Sequence, residues 1–132
     1  MMLLDTNVVS EPLRLKPDFR VVERIDAQSL ETLFLSAITV AELRAGVALL
    51  PASKRRTSLK ESLGTRVLSL FAGRVLPFDL GCTQARAELM VKARAAGLAI
   101  ATADGYIAAI AAANGLTVAT RDTGPSRPPV RR

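Results

Sequence analysis

Short apolar runs punctuate this chain, and between them the apolar residues recur at helical spacing. The runs are MMLL, LFLS, RVLPF and LTVAT. A strand so short and so uniformly apolar is buried on both faces, which requires strands at its flanks and helices above and below. The alternation therefore predicts α/β architecture: a three-layer α/β/α sandwich with a mostly parallel, short-stranded central sheet.

The helical segments can be placed between these runs. Val8 to Leu13 starts a helix that Pro12 and Pro17 limit, and Phe19, Val22 and Ile25 mark a second, from Asp18 to Ala27. After the strand Leu33 to Ser36, Val40, Leu43, Val47 and Leu50 share a helix face that stops at Pro51. Leu59, Leu63, Val67 and Leu70 form the stripe of a long helix from Ser53 to Phe71. RVLPF gives a strand ending near Asp79, and the helix TQARAELMVKARAAG closes on Gly97. A last helix runs from Thr102 to Asn114 and closes on Gly115. Cys82 is assigned to a turn or the core and Met90 to the core.

A chain of 132 residues is one domain by length and is long enough to bury a core without disulfides. It contains one cysteine and no histidine, so Ser-His-Asp and Cys-His nucleophile systems lack their base and Cys/His zinc sites lack their ligands. The chemistry left must use carboxylates, hydroxyls, amides and cations. No basic stretch followed by a long apolar one opens the chain, and the Ala-rich region from Ala95 to Ala113 is broken by Asp104. The expectation is a cytoplasmic protein that does not enter the membrane. The net charge of +6 favours a polyanionic partner, although residues 121–132 supply half of it. The basic, Pro-rich tail 125–132 is expected to be disordered after a domain spanning 1–124.

Four carboxylates fall at or just past the expected strand ends or in first helical turns: Asp5, Glu42, Asp104 and Asp122. Each has an ordinary reading. Asp5 can cap the first helix, Thr39-x-x-Glu42 reads as a capping box, Asp104 complements a helix dipole, and Asp122 can open a turn before Gly124-Pro125. On Glu42's helix face, Ala45, Gly46 and Leu49 would allow another element close approach, while Asp104 shares its face with the apolar Ile107, Ala108 and Ala111. In a parallel α/β sheet, however, the crevice lies outside the strands' carboxyl ends, and three or four of these acids would converge there. Like charges there would repel by roughly 4 kcal/mol per pair at 4 Å and an effective dielectric near 20, which a divalent cation relieves. Oxygen ligands alone select a hard ion, Mg²⁺ or Mn²⁺.

Such a site on a basic protein points to phosphodiester hydrolysis by an activated water, with Asp5, Asp104 and Asp122 as candidates to hold one or two metals and one of the four acids, Glu42 among them, also orienting the water. Thr6, Asn7 and Thr120 are candidates to support the carboxylates by hydrogen bonds, though Thr6 and Asn7 can equally be capping residues. Arg44, Lys54, Arg55, Arg56 and Lys60 are candidates for an RNA path or a solvated basic face.

LLDTNVVSEPL, SAITVAELRAGVALLP and ATADGYIAAIAAANGLTVATRD, in that order, resemble a PIN-domain ribonuclease of the VapC/FitB toxin type. The resemblance covers residue 1 to about 124. It implies the PIN-like form of the sandwich, with Asp5, Glu42, Asp104 and Asp122 as the acidic constellation and Asn7 and Thr120 in support. It also implies a Mg²⁺-dependent endoribonuclease toxin that forms a homodimer and is silenced by a cognate antitoxin, with promoter DNA bound only through the antitoxin complex. Family members are expected to continue after TRD with an aromatic, a glycine and a short final strand. TGPSRPPVRR stands there instead, so that strand is expected to be missing. A second reading follows from that departure: a catalytically impaired PIN relative that works by binding antitoxin. A receiver-like phosphorylated domain fits less well, because adjacent acids after the first strand and a lysine near the last are both absent.

Overall fold

The computed structural model describes residues 1–10 and 29–119. Four strands, β1 (Met2–Leu4), β2 (Leu33–Ser36), β3 (Val75–Leu76) and β4 (Thr117–Ala119), form one sheet in the order β3-β2-β1-β4. Every neighbouring pair is parallel, with Leu3 opposite both Phe34 and Val118, and Leu35 opposite Val75. β3 is shorter than RVLPF suggested. Pro77 has no N–H to donate, and the strand ends before it.

The helices are α1 (Thr6–Ser10), α2 (Ala37–Ala48), α3 (Lys54–Ser62), α4 (Leu68–Leu70), α5 (Leu80–Ala95) and α6 (Thr102–Ala113). Strand alternation sends Leu4, Leu33 and Leu35 to one face of the sheet, where Val8, Val9, Leu43, Leu63 and Phe71 cover them. Leu3 and Val118 point the other way, under Cys82 of α5 and Ile107, Ile110 and Ala111 of α6. Both faces of the sheet are thus dry, and the expected three layers are present. Cys82 belongs to the core, but Met90 does not: it is 54% exposed, because α5 turns Cys82 and Leu89 inward instead.

The helix expected over Ser53 to Phe71 is interrupted. Between α3 and α4 lies a π-helical stretch, Leu63–Val67, in which the Leu68 N–H donates to the Leu63 carbonyl five residues back. This wider turn shifts the inward register, so that Phe71 enters the core while Leu70, expected in the stripe, is 53% exposed. The space expected beside Glu42's face is also not filled: Ala45, Gly46 and Leu49 are exposed. The helix expected over 18–27, the first helix beyond Ser10, the tail 125–132, Thr120 and Asp122 lie outside the described residues.

Helix starts follow from side-chain caps. Ser36, Ser53 and Asp79 accept hydrogen bonds from the N–H groups of Thr39, Arg56 and Cys82 at 2.9, 3.1 and 3.2 Å. The capping box expected at Thr39 and Glu42 is therefore corrected, because β2 turns straight into α2 and the cap is Ser36. Hydrogen bonding with the Cys82 side chain, then with the Cys82 backbone N–H, holds the Asp79 carboxyl below its usual range. A group lowered in the folded state stabilises above its unfolded pKa and loses that contribution as pH falls through the folded one. Asp79→Ala is accordingly expected to lower the melting temperature at neutral pH, with a smaller difference in strong acid. A melting difference that does not change with pH would contradict the charged cap.

Candidate active site

All four strands run the same way, so Leu4, Ser36, Leu76 and Ala119 end at one edge of the sheet. α2 leaves from that edge, and α6, which leads into β4, starts there. The chain steps outward from β1 to β2 to β3 and then returns to place β4 on the other side of β1. The direction of winding reverses at β1, and Asp5 follows it directly. That is where a parallel α/β sheet opens a crevice.

Asp5 is only 5% exposed. Its backbone N–H donates to the Ala119 carbonyl at 3.0 Å and its carboxylate Oδ1 accepts from the Val8 N–H at 2.9 Å, while its own carbonyl accepts from Val9. The capping reading of Asp5 is thus correct and leaves the side chain fixed beside the crevice. A buried carboxylate is costly to desolvate, and the amide bond offsets part of that cost. Ala119, the last described residue of β4, is tied beside Asp5 through its carbonyl.

Glu42 reaches the same place through a neighbour of Asp5. The Thr6 hydroxyl donates to Glu42 Oε1 and lies 3.5 Å from Thr39 Oγ1. Thr39 Oγ1 in turn lies 3.2 Å from Ser36 Oγ, and both Ser36 and Thr39 are fully buried. Glu42, on the second turn of α2, is exposed but held. Thr6 therefore supports a carboxylate rather than capping a helix, and Asn7 stays exposed on α1. The sequence reading placed Ser36 at a strand end and Thr39 in a capping box, and gave neither a place at the site. The signal for them was the serine at the strand-to-helix junction with a threonine three residues on.

Asp104 is half-buried in the first turn of α6, on the face it shares with the buried Ile107, Ala108 and Ala111. Ala101, at the helix start, provides no side-chain cap. Instead the turn is gripped from α5: the Arg86 guanidinium stacks 4.2 Å over the Tyr106 ring, whose edge-on contact with Phe78 has centroids 5.0 Å apart. A Cβ on Gly105 would stand 3.3 Å from Arg86 Nη1, so glycine there permits the close approach.

Among the described residues, no three His, Cys, Asp or Glu side chains are grouped closely enough to hold a metal ion. The donors present at this edge are nonetheless all oxygens. Mg²⁺ is commonly held by one or two carboxylates, the remaining positions being filled by waters and substrate phosphates, so Asp5 and Asp104 fit it in kind.

Of the basic residues singled out, Arg44 and Arg56 share an open cleft of about 650 Å³ between α2 and the α3 hairpin, together with Lys60. Lys54 and Arg55 are exposed and do not line it. No helix among the described residues is long and apolar enough to cross a membrane.

The chain matches the PIN domain family model over residues 2–130. It is 66% identical over 125 residues to plasmid stability protein StbB of Pseudomonas syringae pv. tomato, covering 95% of this chain and 90% of that one. It is 57% identical over 125 residues to VapC ribonuclease Y4jK of Sinorhizobium fredii, covering 95% and 89%. Toxin FitB of Neisseria gonorrhoeae is 56% identical over 124 residues, covering 94% and 89%. Among solved structures, FitAcB from Neisseria gonorrhoeae superposes with a TM-score of 0.89 at 56% identity, covering 94% of this chain and 89% of the other. VapBC2 from Rickettsia felis, bound to a promoter DNA fragment, superposes with a TM-score of 0.79 at 26% identity, covering 98% and 94%.

Proposed function

This chain belongs to the PIN domain family, and on that premise we propose that it is the toxin of a type II toxin–antitoxin pair, a Mg²⁺-dependent endoribonuclease acting in the cytoplasm. The observation that carries the reading is the fixed Asp5 beside the Thr6–Glu42 hydrogen bond at the carboxyl edge of the sheet. The names of the relatives, a VapC ribonuclease and a FitB toxin, support the same reaction class. Solved neighbours that are toxin–antitoxin assemblies, one of them on promoter DNA, support a cognate antitoxin as partner and DNA contact only through that complex. A homodimer is part of the proposal.

Asp5, Asp104 and Asp122 would hold Mg²⁺, with Mn²⁺ able to substitute. Once bound, the cation neutralises charge on the scissile phosphate and acidifies water. The chain's own residues do the rest. The Val8 amide holds the Asp5 carboxylate in a single orientation. The Thr6 hydroxyl aims Glu42, which orients the attacking water and accepts its proton. Ser36 and Thr39 back Thr6 from a dry position, so this small hydroxyl chain fixes the base without a histidine.

RNA incubated with the protein and Mg²⁺ or Mn²⁺ is expected to be cut at internal bonds, and EDTA is expected to stop cleavage. Undiminished cleavage in EDTA would overturn the metal-dependent mechanism. Divalent cations are also expected to raise the melting temperature, since a ligand at 100 times its Kd stabilises by about 2.7 kcal/mol.

A further inference from the structure

α3 opens on Lys54, Arg55 and Arg56 with no acid in its first turn. The amino end of a helix is its positive pole, so three cations there oppose the dipole, and a bound anion would relieve the conflict. One of the three, Arg56, lines the α2–α3 cleft with Arg44 and Lys60. The cleft floor is aliphatic, formed by Val47, Leu63 and Leu68. Arg56 Nη1 donates to the Leu50 carbonyl at 3.4 Å, which fixes the guanidinium where the hairpin turns. The π-helical stretch begins at the floor, and at Gly64 a Cβ would meet nothing within 4 Å, so the cleft is open there. Such stretches concentrate at functional sites. Arg44 stands two residues past Glu42 on α2, about 200° round the helix, so the cleft opens on the other flank of α2 from the held carboxylate, one helix width away.

We infer that this cleft is a subsite for the single-stranded RNA that flanks the cut bond. Phosphates lie against Arg44, Arg56 and Lys60, and an unstacked base lies over the aliphatic floor. Cations on both walls of the groove match a polyanion whose charge repeats along its length, and a cleft of about 650 Å³ has room for a nucleotide. The assignment rests on the ribonuclease reading.

The test measures binding of a labelled single-stranded oligoribonucleotide in EDTA by fluorescence anisotropy, alongside cleavage kinetics in Mg²⁺. The triple variant Arg44→Gln, Arg56→Gln, Lys60→Gln is compared with the double variant Lys54→Gln, Arg55→Gln. The triple variant is expected to bind at least about tenfold more weakly at low salt and to flatten the log affinity against log salt slope by about 2, at roughly 0.7 per lost phosphate contact. Its KM should rise while kcat holds, and the double variant should show only a minor part of each effect. Arg56→Lys, which keeps the charge, is expected to retain most of the binding and guards against a folding defect, checked by melting. Equal losses per charge in the two variants would reduce the cleft to general electrostatics and overturn the assignment, as would wild-type affinity in the triple variant. Loss of binding to a poly-glutamate probe with RNA binding unchanged would give the cleft to an acidic protein segment and equally overturn it. A wild-type protein that binds RNA through these residues but cuts none would overturn the ribonuclease reading and leave the cleft an RNA-binding groove with no cut bond to flank.

Discussion

Asp5→Asn and Asp104→Asn are each expected to lower RNA cleavage by about 100- to 10,000-fold, the range over which positioned acid–base and charge-stabilising groups act. The substitutions separate charge from fold. Asparagine is as good a helix cap as aspartate, so at position 5 it can still accept from the Val8 N–H and keep α1 in place. Asp5→Asn should therefore melt close to wild type while losing activity and the stabilisation by Mg²⁺. Asp5→Ala removes the cap as well and should cost about 1 kcal/mol of stability in addition. Single-turnover cleavage and thermal melting, run on the same preparations, check both halves. Asparagine variants that cut as fast as wild type would remove the two carboxylates from the mechanism.

Ile110→Ala is expected to destabilise the fold by about 2–5 kcal/mol. Ile110 is fully buried and packs with Leu3 of β1 and Val118 of β4 in the cluster beneath α5 and α6. Truncation loses the transfer free energy of its methyl and methylene groups and leaves a cavity that α6 can close only by shifting from its packed position on the sheet. Since Asp104 begins the same helix, activity should fall at temperatures where the wild type is still fully active. Urea unfolding measures the loss through the midpoint at unchanged slope. A change below about 1 kcal/mol would mean that this layer is not packed as described.

Glu42 shows how a local reading can be overturned while the residue keeps its candidacy for the site. The pattern Thr39-x-x-Glu42 is a sound capping-box signature, and it competed with the catalytic assignment. The structure moves the cap to Ser36, so Glu42 has no part in starting the helix and is bonded instead to Thr6, 36 residues away in the chain. Nothing within one turn of Glu42 could have announced that partner. Asp5 is the opposite case, because its cap role and its place at the crevice are both local consequences of ending β1 in an acid, and both hold. Met90 was misassigned because an apolar residue in an Ala-rich helix fits more than one face. Packing against Phe78 and against Ala108 and Ala109 of α6 chose the face that carries Leu89.

What the sequence determined by itself is everything settled within a few residues. The four short strands, the helices between them and their ends at Gly97 and Gly115, where φ is +70° and +67°, follow from apolar spacing and from a backbone conformation that glycine adopts without strain. The oxygen-only donor set follows just as directly from a chain without histidine. The tertiary structure alone decided the strand order β3-β2-β1-β4, the π-helical turn that sends Phe71 rather than Leu70 inward, the Ser36–Thr39–Thr6–Glu42 chain, and which three of the cations share a cleft. These depend on contacts between distant segments, whose energies act only once the layers have packed and leave no periodicity in the sequence.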